Sequence, residues 1–230
     1  MNRHVIQNES TRSTNQLSLP VQYTNNVNSI AELEEVESIA IISKSLVDMF
    51  RYSIKQQGDL VLLSAEIEHI SNYMNIQSFR YGNKLSWSTA IDPELEQQPV
   101  LKLILQPLVE NAVYHGLELK KGGRHISVHG FTTETGIRLE VRDDGIGIDE
   151  QKLEQLQTML APPPALEHLT LEEGDSKSDN RSIGLYNVHA RIAFYYGADY
   201  GLDISSSNNQ GTIIGIRLPH HHDRIISRGE

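Results

Sequence analysis

Cysteine is absent from this chain, which excludes disulfide bridges and thiolate metal sites and suits a reducing compartment. Also missing is any apolar run near the ~20 residues that a membrane-spanning helix needs. The polar opening, residues 1–18, lacks the apolar core of a signal peptide. The chain as given therefore reads as cytoplasmic, tied to a membrane only through regions it does not contain. Basic residues are in deficit, with 20 Lys and Arg against 30 Asp and Glu for a net charge of −10. Without clustered cations to neutralise phosphates, non-specific nucleic-acid binding is excluded, as is a polybasic membrane patch. No internal repeat is visible. The 230 residues suffice for one large domain or two small ones.

What is present falls into two halves with different periods. Residues 1–19, rich in Asn, Ser and Thr, form a polar tail. Ile30, Leu33, Val36, Ala40, Val47, Phe50 and Ile54 then recur at helical steps, and Gly58 is placed to cap that helix. Ser64 opens a second helix, with Ile67, Ile70 and Met74 on its apolar face, before Tyr81-Gly82-Asn83 breaks it. Residues 20–82 thus read as a helical hairpin. Two helices cannot bury both faces alone, so a homodimer is expected.

From residue 83 the period changes to two. Leu85, Trp87, Thr89 and Ile91 alternate as a strand should, closed by Asp92-Pro93. Further strands are expected at Ile126 and Val128, at Ile137, Leu139 and Val141, over 202–206, and over 212–218. Helices are expected over 99–116, 151–160 and 183–196, and a long loop with three consecutive prolines over 161–181. The fold class is therefore α+β. A helical hairpin precedes a mixed layer of four or five strands covered by helices, over 83–219. His220, His221 and His222, in the tail over 220–230, lack the spacing and the supporting carboxylate of a metal site.

Three segments carry polar groups where chemistry would need them. In the first, 105–116, Leu105, Leu108, Val109, Ala112 and Val113 form an apolar face. Asn111 and His115, four apart, project from another, with Glu110 beside them. The second, 141–148, ends an apolar strand in Asp143, followed by Gly145 and Gly147, where a ligand can approach the backbone. The third, 181–188, follows the long loop and opens a helix with the small residues Ser182 and Gly184, a potential anion site. Taken singly, each has a plain alternative: a surface helix, an acidic turn, an ordinary capped helix.

In this order they resemble the N, G1 and G2 boxes of the GHKL (Bergerat-fold) ATPases, and Gly211-Thr212 resembles the short final box. The wording "QPLVENAVYHGL", "VRDDGIGI" and "SIGLYNVHARI" is similar to that of sensor histidine kinases of the LytS/YesM type. So are "SKSLVDMFRYSI" and "EIEHISNYMNIQSFRYG" upstream. The resemblance runs from about Asn25 to Pro219. It implies a dimerising hairpin joined to an α/β sandwich that binds ATP with Mg²⁺. Asp143 would accept the adenine amino group, Gly145 and Gly147 would leave the base room, and Thr212 would line the pocket. Asn111 would bind Mg²⁺, and Glu110 would orient or deprotonate the attacking group. His115 would face the phosphates, while Ser182, Gly184, Leu185 and Asn187 would contact the nucleotide from the other side. The segment 161–181 would be a lid over ATP. The implied activity is phosphoryl transfer from ATP to a histidine, then to the receiver domain of a response regulator.

Some positions depart from the family. Val21 stands where the family carries its phospho-accepting histidine, beside Pro20 and before Asn28-Ser29-Ile30. Valine offers no nucleophile. No histidine lies between His4 and His69, and His69 fits a packing position in the second helix. Ser182 replaces a preferred glycine, and Asp144 a frequent asparagine. A second reading follows from Val21: a nucleotide-binding dimerisation and signalling module without its own acceptor. The upstream hairpin argues against a chaperone- or topoisomerase-like ATPase of the same fold.

Overall fold

In a computed structural model the described residues are 37–54, 58–117, 123–161 and 179–220; for residues 83, 115–117 and 179–182 the description stops at the backbone. Expectations that fall on Val21, Ile30, Leu33, Val36, His221, His222 and most of the long loop lie outside them. Contacts divide the chain into two units. One comprises residues 1–58 and 68–82, the other 59–67 and 83–230.

In the first unit, helix α1 spans Glu37–Ile54. Helix α2 spans Leu63–Tyr81, and its residues from Glu68 onward belong here. Ile70 and Met74, expected on its apolar face, are fully buried. His69 is buried too and stacks on Tyr52, with ring centroids 4.4 Å apart. Of the expected α1 stripe, Val47 is buried, while Ala40, Phe50 and Ile54 are half-buried. Ile39 and Ile41, on neither expected list, are the exposed large apolar residues of this helix.

The second unit is built on a five-stranded sheet in the order β2-β4-β5-β7-β6. Its strands are β2 (Leu85–Ile91), β4 (Arg124–Thr133), β5 (Gly136–Asp143), β6 (Gly201–Ser207) and β7 (Gly211–Leu218). Only the β2–β4 pair is parallel; the other pairs are antiparallel. Every strand read from period-two alternation is present. Ile126, Val128, Ile137, Leu139, Val141, Ile214 and Ile216 form one buried apolar face. Helix α3 (Gln106–Leu117) packs on β4, β5 and β7, and helices α4 (Glu150–Met159) and α5 (Asp179–Tyr196) pack on β6. Burying each such side chain contributes roughly 1.5–3 kcal/mol, so the sandwich rests on this layer.

The opposite face of the sheet carries charge. Arg138 on β5 reaches across β7 to Asp203 on β6 in a two-pronged ion pair of 2.5 and 2.7 Å. Glu140 takes a bond from Arg138 at 2.8 Å and another from Arg142 at 2.5 Å. The crossing is possible because β7 has Gly215 at that point; a Cβ there would collide with the Arg138 guanidinium.

Two expectations are corrected. Residues 99–116 are not one helix. Pro99–Leu101 is strand β3, paired antiparallel with the unexpected β1 (Leu60–Leu62), and helix begins only at Gln106. Between them Leu103 adopts a left-handed conformation, φ +59°. The apolar residues Val100, Leu101, Ile104, Leu105 and Leu108 follow a helical rhythm because all are buried, not because all are helical. The other correction is at α5, which starts at Asp179 rather than Ile183.

Candidate functional site

Asp143 is the last residue of β5, and the sheet register places it directly opposite Thr212 on β7. Two motifs about seventy positions apart are thereby neighbours. The carboxylate accepts the Gly145 N–H through Oδ1 at 2.7 Å. Burial pushes the acid up from its ordinary value; the Gly145 N–H opposes that rise, the Asp144 charge adds to it, and Arg124 and the Thr212 backbone N–H offset it. A carboxylate has about four lone-pair positions, so a further donor can be received.

The loop after Asp143 is pinned to the β6–β7 hairpin. Asn209 donates its backbone N–H to the Ile146 carbonyl at 2.6 Å. Ser206 Oγ accepts the Ile148 N–H at 2.9 Å, donates to the Gly211 carbonyl at 2.8 Å, and lies 3.1 Å from Thr212 Oγ1. Gly147 and Gly211 both have positive φ, +75° and +90°. A Cβ at Gly147 would strike the Ser207 carbonyl, and one at Gly211 the Asp143 carbonyl. These glycines are required by close backbone approach. Gly145 is buried.

Arg124, at the start of β4, shares the helix-facing side of the sheet with Ile126, the register partner of Asp143. It donates to the Asp144 carbonyl at 2.6 Å, yet its Nε and one terminal nitrogen are buried without a partner. Sequence reading missed both Ser206 and Arg124. No local motif marks them; only the pairing of distant strands brings them to Asp143.

On α3, Glu110 is exposed and bonded to Gln106 Nε2 at 2.7 Å, one turn back. Asn111, a 100° rotation further on, turns inward. Its Oδ1 is buried and has no hydrogen-bond partner. A buried carbonyl oxygen left unbonded costs about 1–3 kcal/mol, and a hard cation would satisfy it. His115 lies one turn later on the same helix; its side chain is outside the description.

Helix α3, which bears Asn111, packs both on β5, which ends in Asp143, and on α5, which bears Gly184. Along α5, Leu185 is buried, Asn187 exposed and Gly184 half-buried, with open space where a Cβ would sit. Only the first four N–H groups of a helix lack an intrahelical acceptor. With α5 starting at Asp179, the last of those is Arg181, so the Ser182 and Gly184 N–H groups both fall within the helical ladder.

Residues 96–222 match the family described as histidine kinase-, DNA gyrase B- and HSP90-like ATPases, and residues 23–85 match a histidine kinase family. Among curated relatives, the sensor histidine kinase YesM of Bacillus subtilis is 30% identical over 193 residues, which is 84% of this chain and 30% of that one. The sensor protein LytS of Bacillus cereus is 30% identical over 198 residues, 85% of this chain and 31% of that one. This chain thus spans under a third of each relative's length. The histidine kinase domain of an Erythrobacter litoralis blue-light activated kinase has a TM-score of 0.49 at 13% identity, covering 89% of this chain and 94% of that one.

Proposed function

Since the chain belongs to the family of histidine kinase-, DNA gyrase B- and HSP90-like ATPases, we propose that it is the ATP-binding kinase part of a sensor histidine kinase. In this reading it moves the γ-phosphoryl group of ATP to a histidine, and from there to the receiver domain of a response regulator. The observation that carries it is the Asp143–Thr212 juxtaposition: a half-buried carboxylate at a strand end, hemmed by glycines that backbone contact requires.

Asp143 binds the exocyclic amine of adenine through a charge-assisted hydrogen bond to its half-buried carboxylate. Gly145 and Gly147 keep side chains away from the base, and Thr212 adds a hydroxyl beside it. Asn111 is the Mg²⁺ ligand, and its unpartnered buried Oδ1 suits a hard cation. The metal, when bound, neutralises phosphate charge. Glu110, exposed at the helix surface, orients or deprotonates the accepting group. His115, Asn187 and Ser182 hold the phosphates, with Gly184 and Leu185 shaping that side. Catalysis here is chiefly positioning and charge neutralisation.

The helical half is proposed to pair with a second copy. A cytoplasmic placement follows from the same reading; among the described residues no helix is long and apolar enough to cross a membrane. Calorimetry with ATP tests the site. Asp143→Ala removes a charge-assisted acceptor, worth roughly 1.5–3 kcal/mol. A variant that binds ATP as tightly as the parent overturns the assignment.

A further inference from the structure

Glu66 lies outside the N, G1 and G2 boxes and has no role in the proposed nucleotide site, yet its side chain is fully buried in the second unit. It stands in the first turn of α2. Its Oε1 accepts the Leu103 N–H at 2.6 Å, and its Oε2 accepts the Ile104 and Leu105 N–H groups at 3.1 and 3.2 Å. These three amides immediately precede α3. The Leu105 carbonyl in turn opens that helix, accepting from Leu108 and Val109 at 3.1 and 3.0 Å.

Leucine and isoleucine side chains offer no acceptor, so residues 103–105 cannot cap α3 by themselves. A carboxylate supplied from another helix does it instead, and it sits where the helix dipole favours an anion. The loop it grips is held from other sides too. Lys102 donates its backbone N–H to the Asp59 carbonyl at 2.9 Å, and Arg191 on α5 donates to the Lys102 carbonyl at 2.8 Å. Leu101 pairs with Leu60. The left-handed Leu103 is a conformation that persists only when its surroundings impose it.

We propose that Glu66 is a positioning residue for Asn111: by fixing the amides before α3 it sets where that helix starts and how it is rotated. Asn111 lies five residues into α3, about 8 Å along its axis. Each residue of slip at the start turns the Asn111 side chain by about 100°, enough to swing its buried oxygen off target. The inference rests on Asn111 being the metal ligand proposed above.

The test uses the full chain with three proteins: the parent, Glu66→Gln and Glu66→Asp. ATP affinity is measured by calorimetry with Mg²⁺ and with a chelator, and folding is checked by circular dichroism. In the parent, Mg²⁺ strengthens ATP binding. In Glu66→Gln that metal-dependent gain falls at least about tenfold, as for supporting partners of metal ligands. Metal-free affinity, set at the Asp143 end, is unchanged. Glu66→Asp keeps the charge but is shorter, and it loses a smaller share of the gain. If Glu66→Gln does not fold, Glu66→Asp decides, and an undiminished gain in it overturns the proposal. So does an equal loss with and without metal, which marks a merely structural group. A parent that binds ATP with no metal-dependent gain overturns the Asn111 reading and this inference with it. A parent that binds no ATP overturns the nucleotide site itself.

Discussion

Asp143 combines two demands that pull against each other. Burial favours its protonated form, while an adenine amine needs a charged acceptor. The linkage has a definite sign. The free protein's Asp143 is pushed by burial above the ordinary aspartate value of 3.8, and under the proposed assignment ATP binds the ionised form better. Affinity is therefore full above that raised pKa and falls as the pH drops through it. Calorimetry from pH 7.5 down to 4.5 should show the loss beginning above the ordinary aspartate range. In Asp143→Asn, which has no proton to gain, that acid-side decline should vanish. An identical decline in both proteins would assign the titration to another group. Arg124, with two buried donors unpartnered beside this carboxylate, is among the groups that restrain the rise.

Glycines in the same sheet separate what strands tolerate from what they do not. At Gly215 a new Cβ meets the flexible end of Arg138; at Gly211 it meets backbone, at φ +90°. Gly215→Ala should therefore cost about 1 kcal/mol or less, through loss of a partly exposed ion pair. Its cost should shrink further in an Asp203→Ala background. Gly211→Ala should cost about 1–3 kcal/mol and also weaken ATP binding, since it displaces Asp143. Urea melts of the parent, the three single variants and the double variant check the ranking, and equal costs at the two glycines would contradict it. Elements differ just as much in how far the sequence discloses them. Strands β4, β5 and β7 are legible because alternation at Ile126, Val128, Leu139, Val141, Ile214 and Ile216 is imposed by one buried face. Strands β1 and β3 are three residues each and acquire meaning only by pairing across some forty positions. The start of α3 is hidden for a related reason: its cap is a glutamate far upstream. In the candidate site, Asp143, Asn111 and Thr212 carry recognisable local patterns, whereas Ser206 and Arg124 do not.

At the scale of the whole molecule, the proposed transfer needs a group that can accept phosphate. Val21 cannot receive it, however well ATP is held. With ATP and Mg²⁺, mass spectrometry should find no phosphohistidine on His4 or His69 of the parent, where label would mark a different acceptor, and Val21→His should gain it at position 21. Absence of label in that variant, with ATP bound, would argue against transfer to this position. Sedimentation should show a dimer at micromolar concentration, with Ile41→Glu weakening it, because Ile39 and Ile41 are the apolar residues α1 leaves exposed. A monomer in the parent would remove the pairing proposal. One further consequence concerns recombination. Residues 59–67 come before the five-stranded sheet in sequence but belong to its unit, through the β1–β3 pair and the Glu66 bonds to the loop before α3. A chimaera that joins a foreign hairpin to the sheet-bearing unit at residue 83 would discard the strand that pairs with β3 and the carboxylate that caps α3. The viable exchange is discontinuous: residues 59–67 must travel with the nucleotide unit, so inheritance by simple crossover is hindered and the two halves are constrained to evolve together.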